Sequence, residues 1–311
     1  MYKPDRRQVI RSAALGAATL MRAPSILAQS QPEPSHSQKP DTPRPFVLAG
    51  DGTRLFVQDW GSGRPVVFLS ARTFQSNVWG SHVAALTTHG FRCIVPDRRG
   101  HGRSDAPSTG YDLDTLVDDL SRIFDQLDLR DAVLVAHSMG AFEAARYCAT
   151  SGADRIARLV LAAPATPFSM KTSDNPEGFP KEVIDAQTKA IAADFPRWIG
   201  ENEEPFFSPD TSTETRTWIK NMMMSVSLQI ALATRASTLR ADVRSDLKKI
   251  SCPTLIVHGD KDVSAPLALT GARTAKLIPD CRLTVYPNAP HGIILTHQER
   301  FLSDLLGFLK Q

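Results

Sequence analysis

The chain has 311 residues, 42% apolar and 22% charged, a globular balance that excludes a low-complexity or fibrous protein. Its net charge is +3, but Lys3, Arg6, Arg7, Arg11 and Arg22 stand against Asp5 alone in residues 1–28, so of the 36 basic and 33 acidic residues the remainder keeps 31 and 32. That balance excludes a basic nucleic-acid-binding body, and no internal period marks a repeat array.

Residues 1–28 read as an export signal. A basic segment, Asp5-Arg6-Arg7-Gln8-Val9-Ile10-Arg11, precedes a weakly apolar run from Ser12 to Met21 and a small-residue cleavage site at Ile26-Leu27-Ala28. The paired arginines resemble a twin-arginine (Tat) signal. The competing reading is an amphipathic N-terminal helix. The run is shorter than the roughly 20 residues that span a bilayer. Export predicts the Tat machinery as a partner and a periplasmic or secreted location in a bacterium, with no membrane association. Residues 29–45 are rich in Pro and polar residues and read as a linker.

From Phe46 onward strand and helix signals alternate. Phe46–Ala49 and Arg54–Asp59 flank the turn Gly50-Asp51-Gly52, a hairpin signal. Val66–Leu69 is a continuous apolar run, as in a strand buried on both faces. A helix pattern covers Val78–His89, a strand Arg92–Val95, and a helix Asp114–Leu127, where Leu116, Val117, Leu120, Ile123, Phe124 and Leu127 keep a helical period. Strands at Ala132–Ala136, Leu159–Ala162, Thr254–Val257 and Leu283–Tyr286 follow, with a helix after Ser138 and a closing helix at Phe301–Lys310. The alternation predicts an α/β fold with a mostly parallel sheet flanked by helices, built from residues 46–163 and 250–311. Residues 164–249 break it with helical, Phe-, Trp- and Met-rich sequence. They predict a helical cap over the C-terminal sheet edge, where ligands bind in open α/β sheets. Most of its large side chains should be cap core and some should face a pocket.

Ala136-His137-Ser138-Met139-Gly140 sits between a strand and a helix, the setting that exposes a serine hydroxyl on a sharp turn. A serine needs a base, and the base an orienting acid. Both follow at later strand ends. His258-Gly259-Asp260-Lys261-Asp262 supplies two acids, and Ala289-Pro290-His291-Gly292 supplies His291. Asp260 also fits a turn residue bonding nearby backbone.

Four stretches, Val95–Asp105, Ala136–Gly140, His258–Asp262 and Ala289–Gly292, resemble the α/β-hydrolase superfamily over about residues 46–310. The Asp97-Arg98-Arg99 start and Asn175–Pro180 resemble its cofactor-free (non-haem) haloperoxidase, perhydrolase and aryl esterase branch. The resemblance implies an eight-stranded sheet, Ser138 as nucleophile, His291 as general base and acid, and Asp262, after Gly259, as the acid that orients it. It implies no metal and no organic cofactor. It implies oxyanion donors at the amides of Met139 and of Arg72, where Ser70-Ala71-Arg72 replaces the His-Gly-x of most relatives. Arg72 then brings a cation to the pocket mouth, either to recognise a substrate carboxylate or phosphate or as a surface arginine paired with an acid.

His258 and His137 are expected in packing or turn roles and His101 in a structural one. His82, His89 and His297 are expected to be solvated. Cys93 and Cys148 read as core residues, and a Cys252–Cys281 bridge is open in an oxidising compartment. The functional expectation is a secreted serine hydrolase cleaving small apolar or aromatic esters. Its alternatives are perhydrolase or haloperoxidase-type activity, or lactone, amide or C–C cleavage, on the same triad. A non-catalytic binder is the rival class, and oligomerisation stays open. Ser138 argues against a dehalogenase, whose nucleophile is a carboxylate.

Overall fold

The structure, a computed structural model, describes residues 45–311. The segment expected to be an export signal and the expected linker, up to residue 44, lie outside the described residues. The eight strands are β1 (Phe46–Leu48), β2 (Arg54–Gly61), β3 (Arg64–Leu69), β4 (Phe91–Pro96), β5 (Ala132–His137), β6 (Ile156–Ala162), β7 (Thr254–Gly259) and β8 (Cys281–Tyr286). They form one sheet in the order β1-β2-β4-β3-β5-β6-β7-β8. β1 and β2 pair antiparallel at one edge, and β4 to β8 run parallel with β3.

Sequence and position agree strand by strand. β5, Ala-Val-Leu-Val-Ala-His, is buried at all six positions, as a central parallel strand with both faces covered must be. β8, at the other edge, leaves most of its residues at least partly exposed. Several strands run longer than their apolar cores because ladder pairing continues past them. β3 starts at Arg64, opposite Phe91.

Helices cover both faces. In chain order they are α1 (Gly80–Thr88), α2 (Leu113–Gln126), α3 (Gly140–Ala149), α4 (Lys181–Ala193), α5 (Phe195–Glu201), α6 (Thr213–Met224), α7 (Leu228–Arg240), α8 (Arg244–Leu247), α9 (Gly271–Leu277), α10 (Ile293–Thr296) and α11 (Gln298–Leu309). One core layer joins Leu69, Leu134 and Ile256 to Phe124 and Phe142. The other joins Phe68, Val135 and Val257 to Trp79, Phe301 and Leu305. α2 starts where the Asp112 carboxylate accepts the Thr115 amide, and its apolar stripe packs in the first layer. Helices α4 to α8 lie between β6 and β7, and Ile191, Phe195, Ile199, Val226 and Ile230 form a small core of their own with Tyr111.

Register aligns the strand ends that matter. Ala136 lies beside Leu69 and Leu161, and Ala162 beside His137 and Val257. The segments after β3, β5, β7 and β8 therefore leave one edge of the sheet together.

Two expectations change. His82 is not solvated. It is 1% exposed, its ring edge-on to Trp79 and Phe301, and burial pushes its pKa down to about 4. His89 is exposed and His297 half-buried. Cys252 and Cys281 are not bridged, and all four thiols are free. The register is the reason: Cys281 lies opposite Thr254, two residues beyond Cys252, whose thiol meets Cys148 instead.

Candidate active site

Ser138 occupies the tight turn between β5 and α3 with φ +55°. A non-glycine residue pays roughly 1–2 kcal/mol for that conformation, and backbone bonds hold it, among them one from the Ala165 amide to Ser138 O (3.2 Å). The Ser138 amide donates to Ala162 O (3.0 Å), and Ser138 O accepts from the Ala141 amide (3.1 Å). α3 can approach so closely because residue 140 is glycine; a Cβ there would lie 2.9 Å from Leu69 O.

The side chains of Ser138, His291 and Asp262 form a continuous chain. Ser138 Oγ is 2.8 Å from His291 Nε2, and His291 Nδ1 is 2.7 Å from Asp262 Oδ2. The oxygen at Oδ2 is an acceptor, so Nδ1 carries the proton and Nε2 is free to take one from the serine. Asp262 is 4% exposed. Burial pushes its pKa up, but His291, a bond from His258 and the Ala265 amide (2.7 Å to Oδ1) outweigh that and hold it well below the usual carboxylate range.

Asp260 lies apart from this chain. Its carboxylate accepts the Asn288 amide at 2.6 Å, a turn role next to the strained Asn288 (φ +59°). His258 Nε2 shares its proton between Ala265 O (2.8 Å) and Asp262 Oδ2 (3.1 Å). His137 points away from the serine hydroxyl. Its Nε2 donates to His291 O (3.1 Å), and burial holds its pKa down at about 3.

The amides of Arg72 and Met139 donate no hydrogen bond among the described residues. The carbonyls around Arg72 are all engaged. Arg98 Nη2 donates to Ser70 O (2.8 Å), and His101 Nε2 lies 2.5 Å from Arg72 O. Carbonyls tied outward leave the Arg72 amide available, as an oxyanion donor must be.

A cavity of about 280 Å³ opens onto Ser138 and His291 between the sheet edge and helices α4 to α7. Phe179, Ile199, Phe207 and Met223 give it apolar walls, while Arg72, Arg235, Lys220 and Glu203 bring charge. Among the described residues no three His, Cys, Asp or Glu side chains converge as metal ligands, and no helix is long and apolar enough to cross a membrane.

The model of the alpha/beta hydrolase fold family matches residues 64–298. The chain belongs to the α/β-hydrolase family. It is 37% identical over 276 residues to the non-heme chloroperoxidase CPO-A1 of Kitasatospora aureofaciens, covering 86% of this chain and all of that one. It is 32% identical to a bifunctional esterase/perhydrolase of Acinetobacter calcoaceticus over 85% of this chain and 99% of that protein. An esterase from Exiguobacterium antarcticum superposes with a TM-score of 0.82 at 32% identity, over 86% and 99% of the two chains.

Three parts of this α/β-hydrolase site escape the sequence reading. Arg98 pairs with Glu143 of α3 at 2.6 Å while holding Ser70 O, so one guanidinium joins the loop after β3 to the helix after Ser138. Phe206 packs edge-on to His291 (5.7 Å between centroids), and its carbonyl accepts the Gly292 amide (3.0 Å). Arg235 reaches the cavity from α7. The Asp97-Arg98-Arg99 motif could have pointed to Arg98. Phe206 and Arg235 carry no local signal, because only tertiary packing brings them to the site.

Proposed function

We propose that this α/β-hydrolase transfers acyl groups through Ser138, and that its acyl-enzyme is resolved by water or by hydrogen peroxide. One observation carries the reading: the unbroken chain Ser138–His291–Asp262 beside two unengaged amides. Ser138 Oγ attacks the ester carbonyl while His291 Nε2 takes its proton. The oxyanion formed on the carbonyl sits between the Arg72 and Met139 amides. Collapse expels the alcohol, which receives the proton from His291, and leaves an acyl group on Ser138. Water or peroxide then attacks the acyl carbon, giving its proton to His291, and collapse breaks the bond to Ser138 Oγ, which takes that proton back. The product is an acid in the first case and a peracid in the second. A peracid released into solution oxidises halide without further help from the protein.

The relatives favour the peroxide branch over plain ester hydrolysis, since they include proteins named as chloroperoxidase and esterase/perhydrolase. The apolar cavity walls favour small apolar or aromatic esters. The pattern of residues 1–28 supports export by the Tat route.

The test follows aryl acetate cleavage with and without hydrogen peroxide, reading peracid by bromide oxidation. Peroxide should divert part of the acyl flux to peracid, and Ser138→Ala should abolish both products. Bromide oxidation that survives Ser138→Ala would overturn the reading.

A further inference from the structure

The cavity beside Ser138 carries more positive charge than its own residues neutralise. Glu203 is its one carboxylate, and it already serves Lys220 (2.8 Å) and Arg216 (3.8 Å). Arg72 and Arg235 have no acidic partner among the described residues. Burial and, after it, repulsion from Arg235 pull the Arg72 pKa down to about 10. Arg235 is 7% exposed and is held by neutral groups alone: Thr188 Oγ1 (3.0 Å), Gln187 Oε1 (2.8 Å) and Ile184 O (3.5 Å). These bonds use its Nε and Nη2, and Nη1 has no hydrogen-bond partner among the described residues.

Two other arginines with buried side chains behave differently. Arg98 meets Glu143 and Arg99 meets Asp119, both at 2.6 Å. Burying a guanidinium without a counter-charge is costly. Two guanidiniums that line one cavity with no acid of their own among the described residues are an arrangement an anionic guest relieves. Arg72 is also anchored at its own backbone, by His101 on its carbonyl, and its guanidinium lies 5.9 Å from the centre of the Trp198 ring. Arg72 thus lines the cavity onto which Ser138 opens.

We propose that Arg72 and Arg235 form an anion subsite, and that the preferred substrates are esters with an oxyanion tail, a carboxylate or a phosphonate-type group. The tail lies between the two guanidiniums while the ester carbonyl reaches Ser138. This rests on the acyl-transfer reading above and narrows it from apolar esters to amphiphilic ones, with an apolar spacer against Phe179 and Ile199.

The experiment compares kcat/KM for monomethyl adipate, methyl 5-phosphonopentanoate and the neutral methyl hexanoate, followed by proton release at fixed ionic strength. Either anionic ester should exceed the neutral one by about tenfold to a hundredfold, the range of one or two charge-assisted hydrogen bonds. The anionic ester that wins identifies the tail. The preference should fall towards unity in Arg72→Met and in Arg235→Gln. Because the ratio is taken within each variant, a general loss of activity cancels. Arg235→Lys, which keeps the charge and the α4 contact, should retain part of the preference if Arg235→Gln does not fold. Equal turnover of all three esters by the wild-type enzyme would overturn the subsite and leave the acyl-transfer reading standing. If no ester is turned over, that reading fails, and calorimetry with adipate decides the subsite alone: binding weakened in Arg72→Met supports it, and no binding to the wild-type protein overturns it.

Discussion

Arg98 and Glu143 form a buried ion pair, with Nη2 2.6 Å from Oε1 and side chains 7% and 5% exposed. The same guanidinium holds Ser70 O at 2.8 Å. One pair thereby fixes the spacing between the Arg72 amide, after β3, and the Met139 amide, at the start of α3. Burial already pushes the Glu143 pKa up, and Arg98 is what opposes it. Arg98→Met removes the counter-charge and the carbonyl clamp together. It should cost about 3–5 kcal/mol of stability, read from urea unfolding. If the clamp sets the donor geometry, kcat should fall by about 10²–10³ with little change in KM.

The two carboxylates after β7 should separate cleanly. Asp262 bonds His291 at 2.7 Å, whereas the Asp260 carboxylate accepts only the Asn288 amide among the described residues. Asp262→Asn should lower kcat by about 10⁴, as loss of the orienting acid does in triads of this kind. Asp260→Asn should lower it less than about tenfold and cost about 1 kcal/mol of stability. Steady-state kinetics on one aryl ester compares them.

Gly271 opens α9 directly against the ring of His258, and a Cβ there would lie 2.3 Å from His258 Nδ1. Helix propensity alone predicts that Gly271→Ala stabilises by up to about 1 kcal/mol. The contact reverses the sign, because the ring is fully buried and its far nitrogen already meets Ala265 O (2.8 Å) and Asp262 Oδ2 (3.1 Å). The variant should lose about 1–3 kcal/mol and kcat should fall with it, measured by thermal unfolding and kinetics in parallel.

Stability should fall on the acid side of neutrality. Burial above all holds His82, His101 and His137 down at about 4, 4 and 3, against roughly 6.5 in an unfolded chain. Folded, they stay neutral where the unfolded chain takes up protons. Their contribution is complete above pH ~6.5 and is lost as pH falls towards the folded values. Each histidine supplies a slope of up to about 1.4 kcal/mol per pH unit. Urea midpoints at pH 7.5, 6.0 and 5.0 should decline monotonically, and His82→Leu should remove one histidine's share of the slope.

The sequence reading reaches Ser138, Asp262 and His291 because each follows a recognisable strand, and parallel strands end at a common edge. It reaches Arg72 by counting from β3. His82 is misread because α1 is preceded by the turn of Ser76–Trp79, which sets the inward face by Val78, Trp79 and His82 together. The Cys148 and Cys252 contact, the Arg98–Glu143 clamp and Arg235 depend on how separate elements dock, and no local period encodes that. Arg235 belongs to a helix whose apolar and polar residues show little segregation, so its inward aim has no signature in the α7 sequence.

Activation of Ser138 by His291, 2.8 Å from its hydroxyl, has a direct chemical readout. Incubation with a fluorophosphonate probe, followed by peptide mass spectrometry, tests it most directly. Stoichiometric labelling of Ser138 is expected in the wild-type protein, with its loss in a folded His291→Ala variant. An unlabelled Ser138 in folded wild-type protein, or equal labelling of the variant, would contradict it.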